Sequence, residues 1–300
     1  MNKLCLGTVQ FGMQYGINNS LGRQPNIEEC FEILDCAVKH GINCFDTASG
    51  YGKAEEILGE YKNWDKNKIN IISKIKPLQT DIQNINSYVL NECESSLKKI
   101  GINRFFGYLF HNAADMYNKE LCNALKQCKM EGLTKNVGVS IYSPEDAFYA
   151  AQLEAIDFIQ IPYNVLDQRL NKNNFFDMAK KHNKKIYARS AFLQGLLLMD
   201  IIDIKIKLPQ AEKYVKEFDE ICHKHNFTRK EAAFLFSYAN ANIDYVVFGV
   251  DTKKQLDNNI NTIGKIKEFN LCYDELLKIF ISKEIENEIL NPSFWTQKGN

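Results

Sequence analysis

The sequence contains no Cys-x-x-Cys pair and no excess of charge of either sign. Nor does it contain an apolar run approaching the ~18 residues that a membrane span requires. Each absence removes a class of protein. The nine cysteines (Cys5, Cys30, Cys36, Cys44, Cys93, Cys122, Cys128, Cys222 and Cys272) are odd in number and lie mostly among apolar neighbours. They read as reduced thiols packed as small hydrophobes in a cytoplasmic protein, with no disulfide framework and no bound metal. The 37 basic residues are matched by 37 acidic ones and interspersed with them. This pattern lacks the basic face that binds nucleic acid or an anionic membrane. The N-terminal stretch MNKLCLGTVQFG carries no long apolar core of the kind a signal peptide needs.

What the chain does have is a regular alternation. Of its 300 residues 45% are hydrophobic, enough for a large packed core. Eight short apolar runs stand out, at residues 4–8, 43–46, 69–74, 105–111, 137–140, 158–161, 185–189 and 246–249. Helical periodicity follows most of them, over 27–40, 53–61, 85–100, 119–131, 175–182 and 253–265. Gly132 closes the fourth of these helices, and Ser143-Pro144-Glu145 opens another. Two extra helices are expected between the seventh and eighth runs, at 211–225 and 229–239, and a final one over 273–289. Eight strand–helix units predict an α/β fold of the (β/α)8 TIM-barrel type, with extra helices near the C-terminus. The rival is a doubly wound sheet. It would carry a G-x-G-x-x-G turn after its first strand, whereas this turn reads GTVQFGMQYG. No Pro-, Gly- or Ser-rich linker interrupts the chain, so residues 1–300 are expected to form one domain.

Barrels of this kind place their chemistry at the C-terminal ends of the strands. Those ends carry Asp46, Lys74 and His111, with Tyr51 on the loop after the second strand. Each has a plain structural alternative. Asp46 could cap the helix that follows, Lys74 could be a solvated charge, and His111 could be an ordinary loop histidine. Together the four suit one task. A phenol with an ordinary pKa of about 10 exchanges protons poorly near neutrality, and a neighbouring ammonium lowers that value. The carboxylate positions the lysine, and the imidazole orients a carbonyl oxygen. The set is built to protonate an oxygen on which negative charge develops. None of the four can donate a hydride, so a redox reaction requires a cofactor.

The motifs LGTVQFG, FDTASGYG, ISKIKP and LFHN, with VGVS, IQIPYN and FGVDTKKQLDNNI further on, resemble those of the aldo-keto reductases across nearly the whole chain. The resemblance implies a barrel that binds extended NADPH without a Rossmann domain and reduces an aldehyde or ketone. It places the catalytic tetrad at Asp46, Tyr51, Lys74 and His111. Ser140 and Gln160 would hold the nicotinamide carboxamide, and Ser190, Phe192 and Gly195 would follow the pyrophosphate. Gly249, Gln255 and Asn259 would take the adenosine end, while Thr8, Asp46 and Arg189 complete the cofactor-binding set. Three positions depart from the family pattern. Ile141 stands where an asparagine is common. Arg189 replaces the aromatic residue that stacks on the nicotinamide, and could favour the reduced cofactor or reach an anionic substrate group. Asp251, followed by Lys253 and Lys254, meets the adenosine 2′-phosphate position and leaves NADH open beside NADPH.

The substrate is a small carbonyl compound on this reading. Phe11, Tyr15, Tyr163, Phe294 and Trp295 are candidates for the mouth of the barrel, although the last two equally suit a staple holding the final helix. Gln10, Gln14, Asn18 and Asn19 suit a hydroxylated substrate such as a sugar or sugar nucleotide, or an ordinary loop. Two other functions remain open. One is a cofactor-binding regulatory or redox-sensing protein with little turnover, and the other is a non-redox sugar isomerase.

Overall fold

Alternation along each strand organises the molecule. In the computed structural model, which describes residues 3–65, 68–77 and 82–295, the eight apolar runs form eight parallel strands. The chain runs β1 (Leu4–Gly7), α1 (Val9–Gly12), α2 (Ile27–Lys39), β2 (Cys44–Asp46), α3 (Ala54–Glu60), β3 (Asn70–Ile75), α4 (Ile85–Ile100), β4 (Phe105–Phe110) and α5 (Lys119–Met130). It continues through β5 (Thr134–Ser140), α6 (Pro144–Gln152), β6 (Phe158–Pro162), α7 (Phe175–Lys181), β7 (Lys185–Arg189), α8 (Ile201–Lys207), α9 (Glu212–Lys224) and α10 (Arg229–Ala239). β8 (Tyr245–Phe248), α11 (Lys253–Thr262), α12 (Asn270–Ile281) and α13 (Asn287–Leu290) follow. The strands close in chain order, with β8 returning to pair with β1. The expected (β/α)8 barrel is the fold observed.

Successive side chains of a strand point to opposite faces. One set (Cys5, Cys44, Ile72, Leu109, Phe158, Tyr187 and Val247) faces inward and fills the barrel interior. The ring of Phe158 occupies the room left by two glycines. A Cβ on Gly107 would come within 2.8 Å of its Cζ, and one on Gly138 within 2.8 Å of the same atom. The other set, including Leu6, Phe45, Ile71 and Phe110, packs outward against the helices in a far larger apolar layer. All nine cysteines are free thiols; Cys44 and Cys5 face each other inside the barrel with their sulfurs 3.1 Å apart, as hydrogen-bonding thiols.

Local signals set the helix ends. Asn26 with Glu29, and Thr228 with Glu231, form reciprocal capping boxes at the starts of α2 and α10. Such caps contribute about 1 kcal/mol each. Ser143 caps α6 and α4 stops at Gly101 in the left-handed region, φ 70°. Two expectations need correction. α8 arises where no helix was expected, with Ile204 buried and Ile202 and Ile206 exposed. The expected helix over 273–289 starts earlier and breaks after Ile281. Beyond that point Ser282 Oγ donates to Ile279 O, Tyr214 Oη donates to Glu286 at 2.8 Å, and the chain turns helical again as α13. Among the described residues no helix is long and apolar enough to cross a membrane.

Candidate active site

The inward parity that fills the barrel also builds its mouth. Two residues beyond Cys44, Ile72, Leu109, Phe158 and Tyr187 come Asp46, Lys74, His111, Gln160 and Arg189, and these line a cavity of about 630 Å³ at the C-terminal ends of the strands. The same step from Cys5 and Val247 reaches Gly7 and Gly249, which keep one wall low. Every position assigned from the sequence to the tetrad or the cofactor lines this one cavity.

Lys74 is only 2% exposed, and its ammonium donates to the Asp46 carboxylate and to Thr47 O at 2.8 Å. The second Asp46 oxygen accepts from Gln160 Nε2. The helix-cap alternative for Asp46 therefore fails: Lys53 stands at the N-cap of α3 with no side-chain cap bond, and Asp46 turns inward. Lys74 Nζ lies 4.8 Å from the centre of the Tyr51 ring, and the His111 ring meets that of Tyr51 edge-on at 5.6 Å. Backbone lacing holds the phenol in place. Thr47 N donates to Ile72 O at 2.8 Å, Ser49 N and Oγ donate to Lys74 O, and Tyr51 N closes a turn on Ala48 O. Thr8 secures the adjoining strand, its amide and hydroxyl both donating to Asp46 O. Tyr51 also depends on two glycines. A Cβ on Gly12 would collide with Tyr51 O, and one on Gly52 (φ 51°) with Gly12 O.

Electrostatics make Tyr51 a neutral donor. Burial raises its pKa and outweighs the opposing pull of Lys74, so the lowering expected from an adjacent ammonium is not the net result. For Lys74 burial works toward a lower value, but Asp46 and Tyr51 overcome it and the pKa is raised. The ammonium stays charged. Burial, then Lys74 and Arg189, depress His111 to about 3, so its imidazole is neutral at physiological pH. At this end of the cavity sit a proton-bearing phenol, a neutral imidazole and a compensated ion pair.

Away from the tetrad the lining turns to amides, glycines and a strained loop. Three side-chain oxygens on the cavity wall (Gln160 Oε1, Gln10 Oε1 and Asn259 Oδ1) are buried without a hydrogen-bond partner. Unpartnered buried acceptors cost stability, and these fit the amino groups at the two ends of a nicotinamide dinucleotide. After β7, Ser190 (φ 65°), Leu193 (φ 46°), Gln194 (φ 51°) and Gly195 (φ 97°) adopt left-handed conformations. Strain of this kind concentrates where a chain is shaped to hold a ligand. The loop after β1 crosses the cavity. Ile17 N donates to Gln194 O at 3.0 Å, while Ser20 N and Oγ donate to Asp251 Oδ2 at 3.0 and 3.1 Å. Asp251 is thus turned to the strap, and Lys253 and Lys254 are exposed outside the lining.

Several substrate candidates lie elsewhere. Tyr163 is fully buried, stacked on Phe236 at 5.5 Å, and Phe11 is likewise core. Gln14 is exposed away from the cavity, whereas Tyr15, Gln10, Asn18 and Asn19 line it. Trp295 acts as the staple, its indole donating to Glu288 O at 2.9 Å, while Phe294 is exposed. Pro292 and Ser293, just before these two aromatics, line the cavity instead. Tyr142 and Lys230 line it too and were not anticipated. Tyr142 lies two residues after Ser140, the last residue of β5, and both line the cavity. Outside the cavity, Cys36, His40 and Asp257 converge, but Cys36 donates to Asp257 at 3.0 Å and His40 pairs with it at 3.5 Å. They satisfy one another and join α2 to α11.

The family model for the aldo/keto reductases matches residues 3–271. The chain belongs to the aldo/keto reductase family. Its members are oxidoreductases that generally use NAD(P)H and bind small-molecule substrates. Among curated proteins, the chain is 24% identical over 254 residues to the aldo-keto reductase str7 of Strobilurus tenacellus, covering 78% of this chain and 76% of that protein. It is also 24% identical over 282 residues to the uncharacterized oxidoreductase YqkF of Bacillus subtilis, covering 87% and 90%. The solved holo form of aldo-keto reductase AKR11C1 from Bacillus halodurans superposes with a TM-score of 0.71 at 18% identity, covering 90% of this chain and 91% of that one, a likeness of fold.

Proposed function

We propose that this protein reduces an aldehyde or ketone to an alcohol at the expense of NAD(P)H, with Tyr51 as the proton donor. The observation that carries the reading is the convergence of Tyr51, Lys74, Asp46 and His111 on one half-dry cavity whose wall also offers unpartnered amide oxygens. When bound, the reduced nicotinamide supplies the hydride. The neutral His111 donates a hydrogen bond to the substrate carbonyl oxygen and fixes it beside Tyr51. As negative charge grows on that oxygen, Tyr51 Oη gives up its proton. Lys74, charged and held by Asp46 and Thr47 O, stabilises the phenolate left behind.

Gln160 and Ser140 would hold the carboxamide, the Ser190–Gly195 loop the pyrophosphate, and Gln255 and Asn259 the adenine. NADPH is the cofactor the family resemblance favours, and Asp251 keeps NADH in contention. The amides of Gln10, Asn18 and Asn19 at the mouth suit a hydroxylated carbonyl substrate, of which a sugar or sugar nucleotide is the leading class. Free, closely apposed thiols at Cys5 and Cys44 suit a reducing compartment such as the cytoplasm.

The test is to mix purified protein with NADPH or NADH and a panel of carbonyl compounds and follow the reduced-nicotinamide absorbance. Consumption that disappears in Tyr51→Phe is the expected result. Tight cofactor binding without turnover of any carbonyl would instead favour a sensing role, and absence of binding would remove both.

A further inference from the structure

The charges at the deep end of the cavity do not balance. Asp46 cancels Lys74, and His111 is neutral, but Arg189 has no carboxylate partner among the described residues. Its guanidinium rests on the ring of Tyr142 at 4.1 Å and donates to Ser140 Oγ at 3.2 Å, Ser190 Oγ at 3.3 Å and Ile141 O at 2.8 Å. All of these partners are neutral. A guanidinium keeps its proton under any condition a folded protein meets. A full positive charge is therefore fixed, half-buried, between the ends of β5 and β7. Its field is felt at Tyr51, Tyr15 and His111, so it acts across the whole proton-transfer end.

The group that the proposed function brings here changes charge in use. A nicotinamide ring is neutral when reduced and carries one positive charge when oxidised, after giving up a hydride. Ser140, which Arg189 holds, and Gln160 beside it are the residues assigned to that ring's carboxamide. Like charges that share a partly dry cavity would repel strongly. We infer that Arg189 makes this cavity select the reduced dinucleotide over the oxidised one, so that it fills with reduced cofactor from a mixed pool. The inference rests on the cofactor reading above. It concerns occupancy: the overall reaction equilibrium is unchanged, while oxidised product cofactor leaves more readily. Tyr142 and Ile141 explain how the charge is tolerated, one offering a π face and the other a carbonyl to an otherwise unpaired cation.

The test compares dissociation constants of reduced and oxidised dinucleotide, measured by calorimetry for the unaltered protein, Arg189→Gln and Arg189→Lys. In the unaltered protein the reduced form should bind more tightly, and Arg189→Gln should shrink that preference about tenfold or more. Arg189→Lys, which keeps the charge, should preserve most of it. Equal affinity for both forms in the unaltered protein, or tighter binding of the oxidised one, overturns the inference without any variant. So does a change of both constants by the same factor in Arg189→Gln, the result if Arg189 merely shapes the site or contacts the pyrophosphate. Failure of both forms to bind the unaltered protein instead refutes the cofactor reading.

Discussion

Replacing Lys74 by methionine isolates the ion pair at the heart of the cavity. Lys74 and Asp46 are 2% and 4% exposed, and the ammonium also serves Thr47 O. Methionine fills similar volume but leaves the Asp46 carboxylate with the Gln160 amide as its principal side-chain donor. Breaking a buried pair from one side costs about 3–5 kcal/mol, because the surviving charge stays buried without its partner. For a chain of this size that corresponds to a fall in melting temperature on the order of 10 °C. Urea unfolding followed by both far-UV circular dichroism and tryptophan fluorescence would give the loss and check that the transition is single. Adding Asp46→Asn should then recover most of it, since the asparagine amide can be satisfied without a cation. The coupling between the two sites should be at least about 2 kcal/mol. A Lys74→Met loss below about 1 kcal/mol, or a double variant as unstable as the sum of the singles, would refute the description of the pair as buried and mutually dependent.

Other consequences can be checked alongside. Because folding depresses His111 from an ordinary value near 6.5 to about 3, its neutral form must be retained in the folded state. Stability should be complete above about pH 6.5 and fall as the pH drops below it, by about 2 kcal/mol at pH 5. The stability–pH profile of His111→Asn should be flatter there, and parallel profiles would count against this origin. Gly12→Ala should cost about 1–3 kcal/mol, because its Cβ meets the Tyr51 carbonyl and only backbone movement relieves the clash. Turnover should fall more than cofactor affinity, since the displaced loop carries Tyr51, the proposed proton donor; an unaltered turnover number would contradict that proposal. Gln160→Met removes the amide oxygen proposed for the carboxamide and should weaken dinucleotide binding about tenfold by calorimetry.

The sequence alone determined the barrel and the strand-end positions of the candidate site. Eight strands of three to seven residues, each followed by a helix, with no G-x-G-x-x-G turn after the first, favour a closed parallel barrel over a doubly wound sheet. Asp46, Lys74 and His111 were legible as residues at strand ends, whereas Gln160 entered only through the family resemblance. Local chemistry was equally legible, as in Ser143-Pro144-Glu145, where Ser143 caps α6.

Features that depend on distant partners were decided by tertiary structure. Tyr163 looked like a mouth residue but lies under Phe236, seventy-odd positions away in the chain, and only packing could reveal that. After the break at Ile281 the chain meets α9 through Tyr214, whose hydroxyl donates to Glu286 at 2.8 Å, a contact that no local pattern encodes. The protonation of Tyr51 is likewise a matter of balance. The neighbouring lysine was visible in the sequence, whereas the burial that outweighs it is a property of the assembled cavity. Arg189 could be named from its place at a strand end. That its charge finds only neutral partners, and so stands free to discriminate between ligands, followed only once Ser140, Ile141 and Tyr142 had been brought around it.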